Sequence, residues 1–242
     1  MQFANKLLIF IVVAALMGGC DSTGNNLDLL GSLGSVLQGP GNSENNIVAG
    51  LKEALKVGTT RAVSTLSKEG GYWDNPALRI NMPENLAKLA STLRKIRLGQ
   101  QVDLFEKKMN QAAESAAAQA APVFLGAITQ MTFQDARQIL GGEQTAITDY
   151  FKEKTLPQLI ELYTPIVHKH MNQVGAVSQY NSMVNRYHTL PLVPKIEFSP
   201  DTYVTQQALQ GLFTSLAQVE RDIRTNPAAR TTALLRQVFG NQ

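Results

Sequence analysis

Apolar residues three and four apart recur along nearly the whole chain, and no stretch alternates apolar and polar with period two long enough to make a sheet. The first stripe is Val48, Leu51, Leu55, Gly58, Ala62 and Leu66. A later segment from about Gln100 to Ala121 carries Leu104, Phe105, Met109, Ala112, Ala113, Ala116 and Ala120 as an apolar face. Seven alanines between Gln111 and Ala121 leave room for a partner helix to approach closely. These periods predict an all-α fold, a single bundle-like domain of roughly eight to ten helices.

Punctuation residues set the expected boundaries. Gly70-Gly71 closes the first helix, Asn75-Pro76 has the order of an N-cap followed by proline at N1, and the RINMP segment reads as extended. Pro83 opens a helix through about Ile96, and Pro122 breaks or kinks the alanine-rich rod. Thr132 and Asp135 have capping-box spacing, with Gly141-Gly142 as the stop. Further helices are predicted at about 144–173, 177–189 and 201–225, the last after Ser199-Pro200. A final one runs from Pro227 to Phe239, capped by Asn226. PLVPK at 191–195 is a stiff connector.

The N-terminal 20 residues, MQFANKLLIFIVVAALMGGC, contain one cation, an apolar run and small residues before the sole cysteine. Eleven apolar residues, Leu7 to Met17, span only about 16 Å as a helix, half the hydrocarbon core, so the run is a signal and not an anchor. Gly18-Gly19-Cys20 resembles a bacterial lipobox, although Met17 stands where leucine is commoner. The expected processing removes residues 1–19 and acylates Cys20, which ties the protein to a membrane. This places it in the cell envelope facing the periplasm, with Asp21 favouring the inner membrane and the outer membrane remaining open. Residues 20–46, rich in Gly, Ser and Asn, are then a flexible tether, and 47–240 the domain.

Several chemistries are disfavoured. One cysteine supports neither a disulfide framework nor a multi-cysteine metal site. His168 and His170 lie about 200° apart around a helix and cannot chelate one ion without a break. HExxH, EF-hand, glycine-rich phosphate and Gly-x-Ser-x-Gly motifs do not occur, so no cofactor or metal is expected. The formal charge of +3 is too small to argue for nucleic acid. Arg94, Lys95, Arg97, Lys107 and Lys108 form a basic corner near Gly99, read first as a solvated end and second as a contact with anionic head groups.

Asp103, Glu106, Asn110 and Glu114 make one polar stripe on the alanine-rich helix. Either it is a solvated face, or part of it turns inward to meet Arg61, Lys154 or Arg230, since a buried carboxylate needs a partner.

The segments GLKEAL (50–55), RAVSTLS (61–67), GGYWDNPALRI (70–80), FEKKMNQAAESAA (105–117), MTFQDARQILGG (131–142), YFKEKT (150–155), LPLVPK (190–195) and NPAART (226–231) resemble one bacterial lipoprotein family. That family is known as domain of unknown function forty-one ninety-seven. The resemblance implies one helical domain behind a signal peptide and brings no activity with it. Glu106, Asn110, Glu114, Asp135, Tyr150, Lys154 and Arg230 are the polar members of those segments and the candidates for a shared polar site. Three functions remain in view. The first is a non-enzymatic envelope module that binds another protein or supports an assembly. The second holds a hydrophobic or lipid-like ligand between helices lined by Phe124, Leu125 and Phe133. The third is a hydrolase whose carboxylates meet only in the fold. Oligomeric state is open.

Overall fold

The computed structural model describes residues 40–240. Cys20, the signal segment and tether residues 20–39 lie outside them, whereas residues 40–46, expected to be tether, are helical as the start of the first helix. Among the described residues the chain is all α-helical, with nine α-helices and no strand. They are α1 (Pro40–Leu66), α2 (Ala87–Lys95), α3 (Gly99–Ala117), α4 (Ala120–Gln130), α5 (Phe133–Leu140), α6 (Ala146–Gln173), α7 (Ala176–His188), α8 (Pro200–Thr225) and α9 (Ala233–Phe239). No described helix is long and apolar enough to cross a membrane.

Helix α3 is the centre. It packs against α2, α6, α7 and α8, while α6 and α8 form the most extensive helix pair. The small residues make this possible: Ala112, Ala113, Ala116 and Ala117 are all fully buried, so neighbouring backbones come close. Phe124 and Phe151 meet with ring centroids 4.9 Å apart in the same core. Helices α6 and α8 run antiparallel, because Ile147 and Thr148 meet Glu220 at one end and His168 meets Asp201 at the other.

Local chemistry explains some of the boundaries. The Thr132–Asp135 capping box forms as the spacing requires, with Asp135 N–H donating to Thr132 Oγ1 at 3.1 Å and Thr132 N–H to Asp135 Oδ2 at 2.9 Å. Pro200 is at the first helical position of α8. Helix α6 continues through Pro157 and Pro165, both exposed, so the carbonyls that lose an amide partner can turn to water.

Four expectations need correction. The alanine-rich rod ends at Ala117, not Ala121, and Pro122 instead falls within the first turn of α4, where a missing N–H costs nothing. Asn226 caps only a 3-10 turn, Pro227–Ala229, and a separate cap at Thr232 starts α9. Asn75 similarly caps a turn and not a helix, accepting from Ala77 N–H at 3.1 Å. Leu104, assigned to the apolar face, is 44% exposed.

Candidate functional site

Residues 70–82 form a strap that crosses the bundle, and α3 holds it with three polar side chains. Glu114 Oε1 accepts from Tyr72 N–H at 3.1 Å and Trp73 N–H at 3.2 Å. Asn110 Oδ1 accepts from Ile80 N–H at 2.9 Å, while its Nδ2 donates to Ile80 O at 2.9 Å. Glu106 accepts from Met82 N–H at 2.8 Å. Residues four apart on one helix face thus read the amides of a segment, turns up to residue 78 and extended chain from 79 to 82, that runs antiparallel to the helix. The strap needs them because its backbone has no ladder of its own and lies against a core.

Tyr72 drives the strap inward. Its ring is fully buried, and its hydroxyl donates to Ala208 O at 2.7 Å. The ring lies on Gly211 of α8, where an added methyl would come within 2.6 Å of Tyr72 Cε1. The turn that delivers it contains Gly70 at φ +79°, a left-handed conformation that a side chain would strain. Outside, the Arg79 guanidinium stacks 4.2 Å from the Trp73 ring and donates to Trp73 O.

The inward stripe is therefore real for Asn110, Glu114 and in part Glu106, but its partners are backbone amides and not Arg61, Lys154 or Arg230. Burial pushes the Glu114 carboxyl above the ordinary glutamate value, against the pull of the Trp73 and Tyr72 amides. Asp103 of the same stripe stays exposed and pairs with Arg94 at 2.8 Å, which also takes one cation out of the basic corner. Lys108 of that corner donates to Val174 O.

The seven motif residues fall into three places. Glu106, Asn110 and Glu114 hold the strap. Asp135, Tyr150 and Lys154 stand together between two clefts, one running to Gly126 and Gln158 and the other to Gln138 and Glu143. Arg230 stands elsewhere, closing the C-terminus of α8 by donating to Ile223 O at 2.9 Å and Arg224 O at 2.8 Å.

The middle group is not set up for proton transfer. Hydrogen bonds from Thr132 hold the Asp135 carboxyl below its usual range. Burial, then Asp135, pushes the Tyr150 hydroxyl up, and that hydroxyl donates to Ala127 O at 3.2 Å. The hydrogen bond to Glu153 pushes Lys154 up. Near neutral pH each keeps its ordinary charge, so none is poised as an acid or base.

A further buried carboxylate escaped the sequence reading. Glu220 accepts from Ile147 N–H and Thr148 N–H at 2.9 Å each and pairs with Arg224 at 3.1 Å, so it caps the start of α6 from across the bundle. Its one sequence signal was the i,i+4 spacing to Arg224. The proposed Phe124–Leu125–Phe133 pocket does not form: Phe124 is fully buried, Leu125 is 41% exposed, and Phe133 faces out under Arg137. Among the described residues no three His, Cys, Asp or Glu side chains group to hold a metal ion.

What the structure does offer is a valley of about 680 Å³ along the α6–α8 pair. Leu156 and Ile160 of α6 and Leu209, Phe213 and Ala217 of α8 supply its apolar lining, and threonines, glutamines, Asp149 and Lys152 complete it. These positions repeat at three and four on both helices, so the signal was present as an apolar stripe too wide for one buried face.

Residues 41–240 match the model of the family described as Protein of unknown function (DUF4197). The chain belongs to this family. No curated protein and no solved structure matches it.

Proposed function

We propose that this DUF4197 member is a non-enzymatic, lipid-anchored module of the cell envelope that docks an amphipathic helix of a partner protein in the α6–α8 valley. The valley itself carries the reading. Among the described residues only two helices wall it, and they leave its third side open along a length of about 25 Å, which about 16 helical residues would cover. An amphipathic helix can lay one apolar stripe between two others and keep its polar face in water. An acyl chain in the same place would leave much of its surface wet, which weighs against the ligand-carrier alternative. The hydrolase alternative is weakened because the buried carboxylates Glu114 and Glu220 are committed to backbone amides.

The test is a photo-crosslinking residue placed at Ile160 in living cells, with Lys88 on the exposed face of α2 as control. One protein captured reproducibly from position 160 and not from 88 supports docking. Adducts with lipid alone overturn it in favour of the ligand carrier. Membrane attachment rests on the lipobox-like Gly18-Gly19-Cys20 sequence. Labelled palmitate is expected in the wild-type chain and absent after Cys20→Ser. An unlabelled wild type would overturn anchoring.

A further inference from the structure

The turn between α2 and α3 gathers most of the domain's net charge. Residues 84–108 carry six Lys and Arg against three acids, Glu84, Asp103 and Glu106, a net +3. Residues 40–240 together carry 21 Lys and Arg against 17 Asp and Glu, a net +4. Two of the three acids are already engaged, Asp103 by Arg94 and Glu106 by the Met82 amide. Lys95, Arg97 and Lys107 are exposed, and among the described residues their side chains make no hydrogen bond or ion pair. Arg97 also holds φ +66°, the left-handed position that closes α2, with Leu98 N–H donating to Leu93 O at 2.8 Å. Glycine fits that conformation better; what arginine adds there is an outward cation.

Large apolar side chains stand among these cations. Ile96, between Lys95 and Arg97, is 45% exposed, and Leu104 is 44% exposed. Leu104 lies one turn before Lys107 on the exposed α3 stripe Gln100–Asp103–Leu104–Lys107. The Arg94–Asp103 pair at 2.8 Å ties the end of α2 to that stripe, so the two helices present one corner. Resting on the anchored reading above, we infer that this corner is the face the domain lays on an anionic bilayer. Lys95, Arg97 and Lys107 meet the head groups, and Ile96 and Leu104 enter the boundary with the acyl chains. A nucleic acid would satisfy the cations and leave both apolar side chains in water.

The test places a fluorescent amino acid at Gln100 of the full-length chain, on vesicles whose acyl chains are brominated as quenchers. Quenching is expected with phosphatidylglycerol mixed into phosphatidylcholine and not with phosphatidylcholine alone. Each cation near the surface is worth about fivefold, so Lys95→Gln, Arg97→Gln and Lys107→Gln together should lower the ratio of docked to free corner on the order of 100-fold. Ile96→Ser with Leu104→Ser should lower it as well. Arg97→Gly should melt no lower than wild type, yet dock about fivefold less. Equal quenching on both vesicles, no loss in either multiple variant, or a lowered melting temperature in Arg97→Gly would overturn this inference. Quenching at position 100 in a chain whose Cys20 takes up no palmitate would overturn anchoring and leave this inference standing.

Discussion

Asn110 tests whether the α3 stripe is structural. Its side chain is fully buried and makes both available bonds to Ile80, N–H and C=O, at 2.9 Å. Ile80 is only 1% exposed, so water cannot replace either bond. Asn110→Leu preserves bulk and strands both groups, each at about 1–3 kcal/mol, for a total of roughly 2–6 kcal/mol. In a domain of this size each kcal/mol lowers Tm by about 2–4 °C, so the fall is on the order of 5–20 °C. Asn110→Asp is nearly the same shape but cannot donate to Ile80 O and adds a buried charge, so it should cost a comparable amount, about 3–5 kcal/mol. Asp103→Asn, on the same helix but exposed, removes only a surface pair and should cost under about 1 kcal/mol. Urea and thermal denaturation followed by circular dichroism measure all three. Asn110→Asp within about 0.5 kcal/mol of wild type would refute the claim that this side chain holds the strap.

Three other outcomes follow from the same packing. Gly211→Ala pushes a methyl into the Tyr72 ring and should cost about 1–3 kcal/mol by overpacking; an unchanged denaturation midpoint would mean that the ring does not sit there. Because burial raises the Glu114 carboxyl in the folded state, folding favours its protonated form. The stability it contributes is therefore present at low pH and lost as pH rises through the raised value. Wild type minus Glu114→Gln, compared by urea midpoints from the ordinary glutamate value of 4.5 upward, should fall with pH; a flat or rising difference would contradict the sign. Glu220→Ala leaves two buried amides at the start of α6 without their acceptor, so a loss of roughly 2–5 kcal/mol is expected, with early hydrogen exchange at Ile147 and Thr148. Uniform exchange along α6 would argue against the cap.

Signals within a few residues were legible in the sequence. The Thr132–Asp135 box, the Gly141 stop and Pro200 at a helix start all depend on bonds between neighbours in the chain, so spacing alone finds them. The break at Ala118 is different: no residue there forbids a helix, and the turn arises where α3 must stop and α4 must reach α6. The polar stripe was visible, but its partners were not. Glu114 meets Tyr72, 42 residues away, and Glu220 meets Ile147, 73 residues away, and neither partner is a charged side chain that sequence would flag. The valley is likewise a property of two helices together. Ile160 looks like an ordinary core residue until both helices are seen to leave it, 45% exposed, at an open furrow.

The central claim is that the α6–α8 valley, and not the polar residues of the family motifs, carries binding. Calorimetric titration of the partner segment captured at Ile160 tests it most directly, against wild type, Ile160→Glu and the double variant Asp135→Asn with Lys154→Gln. Ile160→Glu should weaken binding at least about 100-fold, the cost of burying an unpaired charge in the interface, with its Tm kept. The double variant should bind as wild type does. Wild-type affinity in Ile160→Glu, or a comparable loss in the double variant, would contradict the claim.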